Sequence, residues 1–143
     1  MAQTPGWSDP VIAQAALNDP TTATWTDTGL TKDDPRVKAA YEWIRKNYDV
    51  KSNPGMADAG LFYYYHTFAK ALDATGQDLL TDADGVKHDW RKELADELIK
   101  RQQADGSWAN QNGQFMESDA NLATSFALLA LDYCRPKLAA PGS

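Results

Sequence analysis

Apolar residues recur at helical spacing in four stretches of the chain. From Asp34 to about Tyr48, Val37, Ala40, Tyr41, Ile44 and Tyr48 fall on one face, while Arg36, Lys38, Glu42, Arg45 and Lys46 fall on the other. Asp33 or Asp34 can cap this helix. Pro35 suits the first turn, where a missing N–H is no loss. Ser52-Asn53-Pro54-Gly55 stops it. A second helix is predicted from about Asp58 to Thr75, ended by Gly76. Its stripe is Leu61, Tyr64, Tyr65, Phe68 and Leu72, widened by Phe62, Tyr63, Ala69 and Ala71 until the helix is apolar nearly all round. Such a helix is expected to be surrounded by others.

The segment from Asp78 to Val86 reads as turns, and a third helix follows from about Lys87 to Gln103. Trp90, Leu94, Leu98 and Ile99 point inward, with Arg91, Lys92, Glu93, Asp96, Glu97 and Lys100 mostly outward. The fourth helix, about Ser118 to Cys134, is again poor in charge, with Ser118 as N-cap and Pro136 as stop. Helices one and three are thus amphipathic, and two and four nearly all apolar. Asp34-Pro35-Arg36 and Asp89-Trp90-Arg91 open their helices alike, which suggests a weak repeat of one outer and one inner helix. No continuous strand alternation competes, so the expected fold class is all-α. Residues 1–30 form a less regular segment, with a short helix opened by Asp9-Pro10 and running through Asn18, then a poor helix former from Thr21 to Gly29. The repeats are placed in 31–136 and a tail in 137–143.

Composition narrows the function classes. At 143 residues the chain has room for one domain, and 43% hydrophobic with 24% charged residues is ordinary for a globular protein. A net charge of −6 opposes the phosphate attraction used by nucleic-acid binders. No apolar run approaches the roughly 20 residues of a transmembrane span. Cys134 is the single cysteine, which rules out an internal disulfide and any four-cysteine metal site. The start, Met1-Ala2-Gln3-Thr4-Pro5, shows neither the basic segment nor the apolar core of a signal peptide, and the compartment is left open.

Between the third and fourth helices stands Gln102-Gln103-Ala104-Asp105-Gly106-Ser107-Trp108, of the form Gln-x-x-x-Gly-x-Trp, preceded by Leu98-Ile99. A Gln late in a helix can satisfy unpaired groups at neighbouring helix ends. Gly106 permits a positive φ in the exit turn, and Trp108 can fold back as an apolar lid with its indole N–H free to donate. Gln102, Gly106 and Trp108 therefore read as a structural fastener. The motif resembles the QW repeat of the squalene–hopene cyclase and terpenoid cyclase superfamily, related to the protein prenyltransferase β subunits. Gly29 to Val37, Gly60 to Phe68 and Glu117 to Leu131 resemble bacterial squalene-cyclase-like repeat proteins of that group. The resemblance covers roughly residues 29–136 and implies an α/α toroid, of which two hairpins make only a partial, open arc. An open arc leaves helix flanks uncovered, so a second copy or a partner protein is expected to cover them.

The candidate chemistry is sparse. The cyclases use Asp-x-Asp-Asp; the nearest string, Asp82-Ala83-Asp84-Gly85, lacks the adjacent acid and lies in a turn where carboxylates are solvated and keep ordinary acidity. It is also a poor calcium loop, with two acids before the glycine and no closing Glu. Asp132-Tyr133-Cys134 with His66 or His88 matches the prenyltransferase zinc ligands by residue type, but without that family's aromatic continuation. No catalytic residue, metal site or cofactor is assigned. Tyr63, Tyr64, His66 and Phe126 form the candidate ligand-binding set, because rings on inner helices line the cavity in the cyclases. The alternative is that they simply fill core.

The sequence reading is therefore a non-catalytic helical repeat module that binds a partner chain or an apolar, polyprenyl-like small molecule on its inner helices. One alternative is a fragment or subunit of a cyclase or prenyltransferase-like enzyme. Another is a carbohydrate-binding α/α protein, in which the rings stack on sugars.

Overall fold

The computed structural model describes residues 33–136. The short helix through Asn18, the Thr21–Gly29 segment and the tail at 137–143 lie outside the described residues. The chain divides into two compact units, Met1–Trp43 and Ile44–Ser143.

Helix α1, Pro35–Lys46, straddles that division. Its start is as the sequence dictates. Asp34 Oδ1 accepts from Arg36 N at 2.8 Å, and the same carboxylate is gripped by the Arg36 guanidinium at 2.8 and 3.0 Å. That hydrogen bonding lowers the Asp34 carboxyl to about 2. No residue of α1 is buried, although its apolar face includes Tyr41 and Ile44.

The second unit is predominantly helical with one small sheet. Helix α2 spans Leu61–Thr75 and ends as expected at Gly76, whose left-handed φ of 71° lets its N–H bond Asp73 O. It starts three residues later than the sequence suggests, because Gly60 sits at φ 63° and breaks the helical path. Strands β1, Leu79–Thr81, and β2, Lys87–Asp89, pair antiparallel with Leu80 opposite His88. This hairpin corrects the all-α expectation. Asp82 builds the turn, its Oδ1 accepting from Asp84 N and Val86 N at 2.9 and 2.8 Å, and Gly85 supplies the positive φ. Three-residue strands are too short to show alternation in a sequence.

The hairpin also displaces the start of the next helix, so α3 runs Trp90–Arg101 instead of from Lys87. Asp89 caps it, accepting from Lys92 N at 3.1 Å. Helix α4 spans Ala120–Cys134, and its N-cap is Asp119, accepting from Asn121 N at 2.8 Å, instead of Ser118. Asp119 wins because it stands immediately before the first helical residue.

Helix α2 packs along α4, and α4 packs along α3. The buried core is Leu61, Phe62, Tyr65, Phe68 and Leu72 of α2, Trp90, Leu94 and Leu98 of α3, and a small-residue face of Ala123, Ala127 and Ala130 on α4. Those alanines let α2 approach α4 closely. Three expectations are corrected here. Ile99 is 62% exposed, one step round α3 from the buried Leu98. Arg91 and Glu97 are buried instead of facing water. Tyr63, Leu128 and Leu129 are exposed, so neither α2 nor α4 is enclosed on every side by the described residues.

The buried charges have partners, as burial requires. Arg91 reaches Asp73 at the end of α2 (2.8 Å), Asp78 before β1 (2.9 Å) and the carbonyl of Tyr133 at the end of α4. Its guanidinium also lies 4.3 Å from the centre of the Trp90 ring. Glu97 pairs with Arg101 at 2.8 Å.

Candidate functional site

Helix α2 presents one face to α4 and another to a groove of about 480 Å³. Tyr63, Tyr64 and Thr67 form its helical wall, and Leu122 and Phe126 of α4 form the opposite side. Two loops complete it: Asn53, Met56 and Gly60 from the approach to α2, and Phe115 from the short 3₁₀ turn Gln114–Met116 that precedes α4. Tyr63 and Phe126 meet edge to face, their centroids 5.6 Å apart and their planes at 74°. Three of the four residues that the sequence proposes for ligand binding, Tyr63, Tyr64 and Phe126, therefore share one groove.

His66 does not line it. Its ring turns along α4, 6.0 Å from Phe126 and 6.2 Å from Tyr133 in a stacked arrangement. Its Nδ1 is buried with no hydrogen-bond partner. Burial, with Lys70 nearby, holds the imidazole below its ordinary value, so the ring is neutral at physiological pH and behaves as one more aromatic in the row.

Among the described residues no charged side chain lines the groove, and most of the polar groups they bring to it are engaged within the fold. The Tyr64 hydroxyl donates to Asp49 O at 2.7 Å, Thr67 Oγ1 donates back to Tyr63 O and Tyr64 O, and Asn53 Nδ2 donates to Ala59 O at 2.8 Å. Burial pushes the Tyr64 phenol upward, which keeps it protonated. The neighbouring Tyr65 reaches Val50 O at 2.8 Å from the core side. Together these hydroxyls tie the 49–50 backbone to α2.

The loop that carries Phe115 is fixed by a residue the sequence reading did not single out. Glu117 is fully buried. Its carboxylate accepts from Tyr63 N at 2.8 Å, Phe62 N at 3.2 Å and Asn110 Nδ2 at 2.9 Å. Helix α2 has no side-chain cap of its own at Gly60, so this carboxylate, distant in sequence, caps its first turn and meets the positive end of its dipole. Asn110 is held in turn by Asp58 O at 2.6 Å and by accepting from Asn112 N.

The other candidate groups lie elsewhere. Asp82 is not the freely solvated carboxylate expected of a turn. Its Oδ2 lies 3.0 Å from His88 Nε2, which holds Asp82 below the usual carboxylate range. His88 Nδ1 faces Glu93 at 3.1 Å, and Tyr48 donates its hydroxyl to Glu93 at 2.8 Å while stacking on His88 at 4.0 Å. Burial alone would lower the His88 pKa, but the two carboxylates outweigh it and raise the value. The cluster latches the hairpin to α3. Asp84 is exposed. Cys134 is half-buried, and its thiol is pushed up to about 11 by that burial, which makes it a poor nucleophile and metal ligand. Among the described residues no three His, Cys, Asp or Glu side chains gather as metal ligands.

The Gln-Trp segment works as a fastener, with one change of role. Trp108 is buried and its indole donates to Leu98 O, near the end of α3, at 2.8 Å. Its backbone N–H reaches Thr124 Oγ1 of α4 at 3.0 Å. Gly106 takes φ 90°. Gln102, however, donates only within its own turn, to Gly106 O at 2.8 Å, instead of reaching a neighbouring helix. No helix among the described residues is long and apolar enough to cross a membrane. Comparison with family models, with curated proteins and with solved structures finds no match to the chain.

Proposed function

We propose that this chain is a non-catalytic helical repeat module, an open arc of the α/α kind that its Gln-Trp segment resembles, and that it binds an apolar ligand in the groove between α2 and α4. The observation that carries this reading is the lining. Tyr63, Tyr64, Phe115, Leu122 and Phe126 border a space of about 480 Å³ with no charged side chain among the described residues that line it, within the usual range for small-molecule sites. The cyclase-fragment alternative draws no support from the groove, since no acid among the described residues lines it and Asp82 is committed to His88. The carbohydrate alternative is disfavoured because a sugar brings many hydroxyls, whereas Tyr64, Thr67 and the Asn53 amide N–H already have partners. Exposed Ile99 on α3 and Leu128 on α4 leave apolar side chains outside the groove for a second copy or a partner chain to cover.

The test is uptake of two neutral probes, 1-dodecanol and N-phenyl-1-naphthylamine, by the wild type, Phe126→Ala and Leu128→Ala. Saturable binding of at least one probe, weakened tenfold or more by Phe126→Ala and unchanged by Leu128→Ala, supports the reading. No uptake of either probe, or equal uptake by Phe126→Ala, overturns it.

A further inference from the structure

The three non-glycine residues with positive φ among the described residues are Ala57 (55°), Phe115 (60°) and Met116 (62°). All three lie in the two loops that border the groove. A side chain in the left-handed region is disfavoured, and two consecutive instances ordinarily attract glycine or asparagine. Here the positions hold phenylalanine and methionine, both largely exposed, with Phe115 at 62%. Core packing therefore does not explain them. The conformation is held from below by buried Glu117, whose backbone carbonyl accepts from Asn110 N at 2.9 Å. It is also held by Met116 N donating to Gly113 O at 3.2 Å. The outcome is that the Phe115 ring reaches the groove. A Cβ on Gly60 would stand 3.3 Å from Phe115 Cδ2, so the absence of a side chain at Gly60 leaves the ring its place.

We propose that Phe115 is a ligand-contacting residue, held in a strained conformation for that purpose, and that the ligand it meets is an uncharged, ring-bearing molecule of about three aromatic rings. This rests on the groove being the binding site. The size follows from comparison with an apolar cavity of about 150 Å³, which accommodates one benzene; the groove has about three times that volume. Ring character follows from its walls, since Tyr63, Tyr64, Phe115 and Phe126 offer faces and edges that pair with another aromatic. Neutrality follows from the lining, to which the described residues bring no cation or carboxylate to offset the desolvation of a charged group.

The test uses N-phenyl-1-naphthylamine, a neutral three-ring probe, its sulfonated relative 8-anilino-1-naphthalenesulfonate, and 1-dodecanol as competitor, with thermal melting recorded for every variant. The expected result has three parts. The neutral ring probe binds at least tenfold more tightly than the sulfonate. Dodecanol displaces it weakly. Phe115→Gly lowers its affinity at least tenfold while leaving the melting temperature unchanged or higher, because strain is relieved. A residue serving only stability would show the opposite signature, lower melting with unchanged affinity, and that overturns the proposal. Equal affinity for the sulfonate, or tight dodecanol binding without ring-probe binding, overturns the ligand class and leaves the groove reading standing. Failure of both neutral probes removes both.

Discussion

Replacing Glu117 by alanine removes a carboxylate that is fully buried and accepts three hydrogen bonds, from Phe62 N, Tyr63 N and Asn110 Nδ2. Two of these donors belong to the first turn of α2 and have no intrahelical acceptor. Leaving a buried donor unpaired costs about 1–3 kcal/mol. Burying the carboxylate is itself unfavourable, but charge-assisted bonds and the helix dipole offset that cost in the intact protein. Asn110 keeps its bond to Asp58 O, so its loss is partial. The net effect is expected to be about 3 kcal/mol, a large share of the roughly 5–15 kcal/mol that holds a domain together. At 4–8 °C per kcal/mol for a unit near this size, the melting midpoint falls by roughly 12–24 °C. Glu117→Gln keeps one acceptor and turns an NH₂ toward the donors, so it should fall between wild type and alanine. Urea unfolding of the three proteins, followed by far-ultraviolet circular dichroism, measures the series. A Glu117→Ala protein within 1 kcal/mol of wild type would refute the cap.

Three further outcomes follow from the geometry. Trp108→Phe keeps the apolar lid but strands Leu98 O, and should cost about 1 kcal/mol by the same urea measurement; a neutral result removes the indole bond from the fastener. His88 has a raised pKa in the fold, so its contribution is complete below its ordinary value of 6.5 and is lost as pH rises through the raised one. The stability advantage of wild type over His88→Gln should be largest at about pH 5.5 and shrink toward alkaline pH, and an advantage that is flat or grows would refute the latch. His66→Phe removes a buried, unpartnered Nδ1 from between Phe126 and Tyr133, so the melting midpoint should hold or rise, and a fall of several degrees contradicts the arrangement.

The helices were largely legible in the sequence because their punctuation is local. Asp34-Pro35 opens α1, Gly76 closes α2, and the apolar periods of Leu61 to Leu72 and Trp90 to Leu98 mark buried faces. What was not legible depends on contacts distant along the chain. Arg91 looks like a solvated charge on a helical wheel and Glu117 stands just before the predicted fourth helix, yet both are buried because partners arrive from elsewhere in the chain, whereas Glu97 is paired by Arg101 within its own helix. Ile99 looks like core and is exposed because the described helices pack on the other side of α3. The groove was half readable. Tyr63, Tyr64 and Phe126 stood out as rings at helical spacing, whereas Met56, Phe115 and Leu122 join them only through loop conformations and helix packing. His66 went astray because its position on α2 carries it along α4 toward Tyr133.

Arg91 has a consequence for how the unit comes apart. One guanidinium holds the last turn of α2, the entry to the hairpin and the Tyr133 carbonyl in the last turn of α4. Three termini that would otherwise fray one by one are thereby moored to a single post. Their amide protons should trade with solvent at a shared rate, and cutting that mooring loosens all three together.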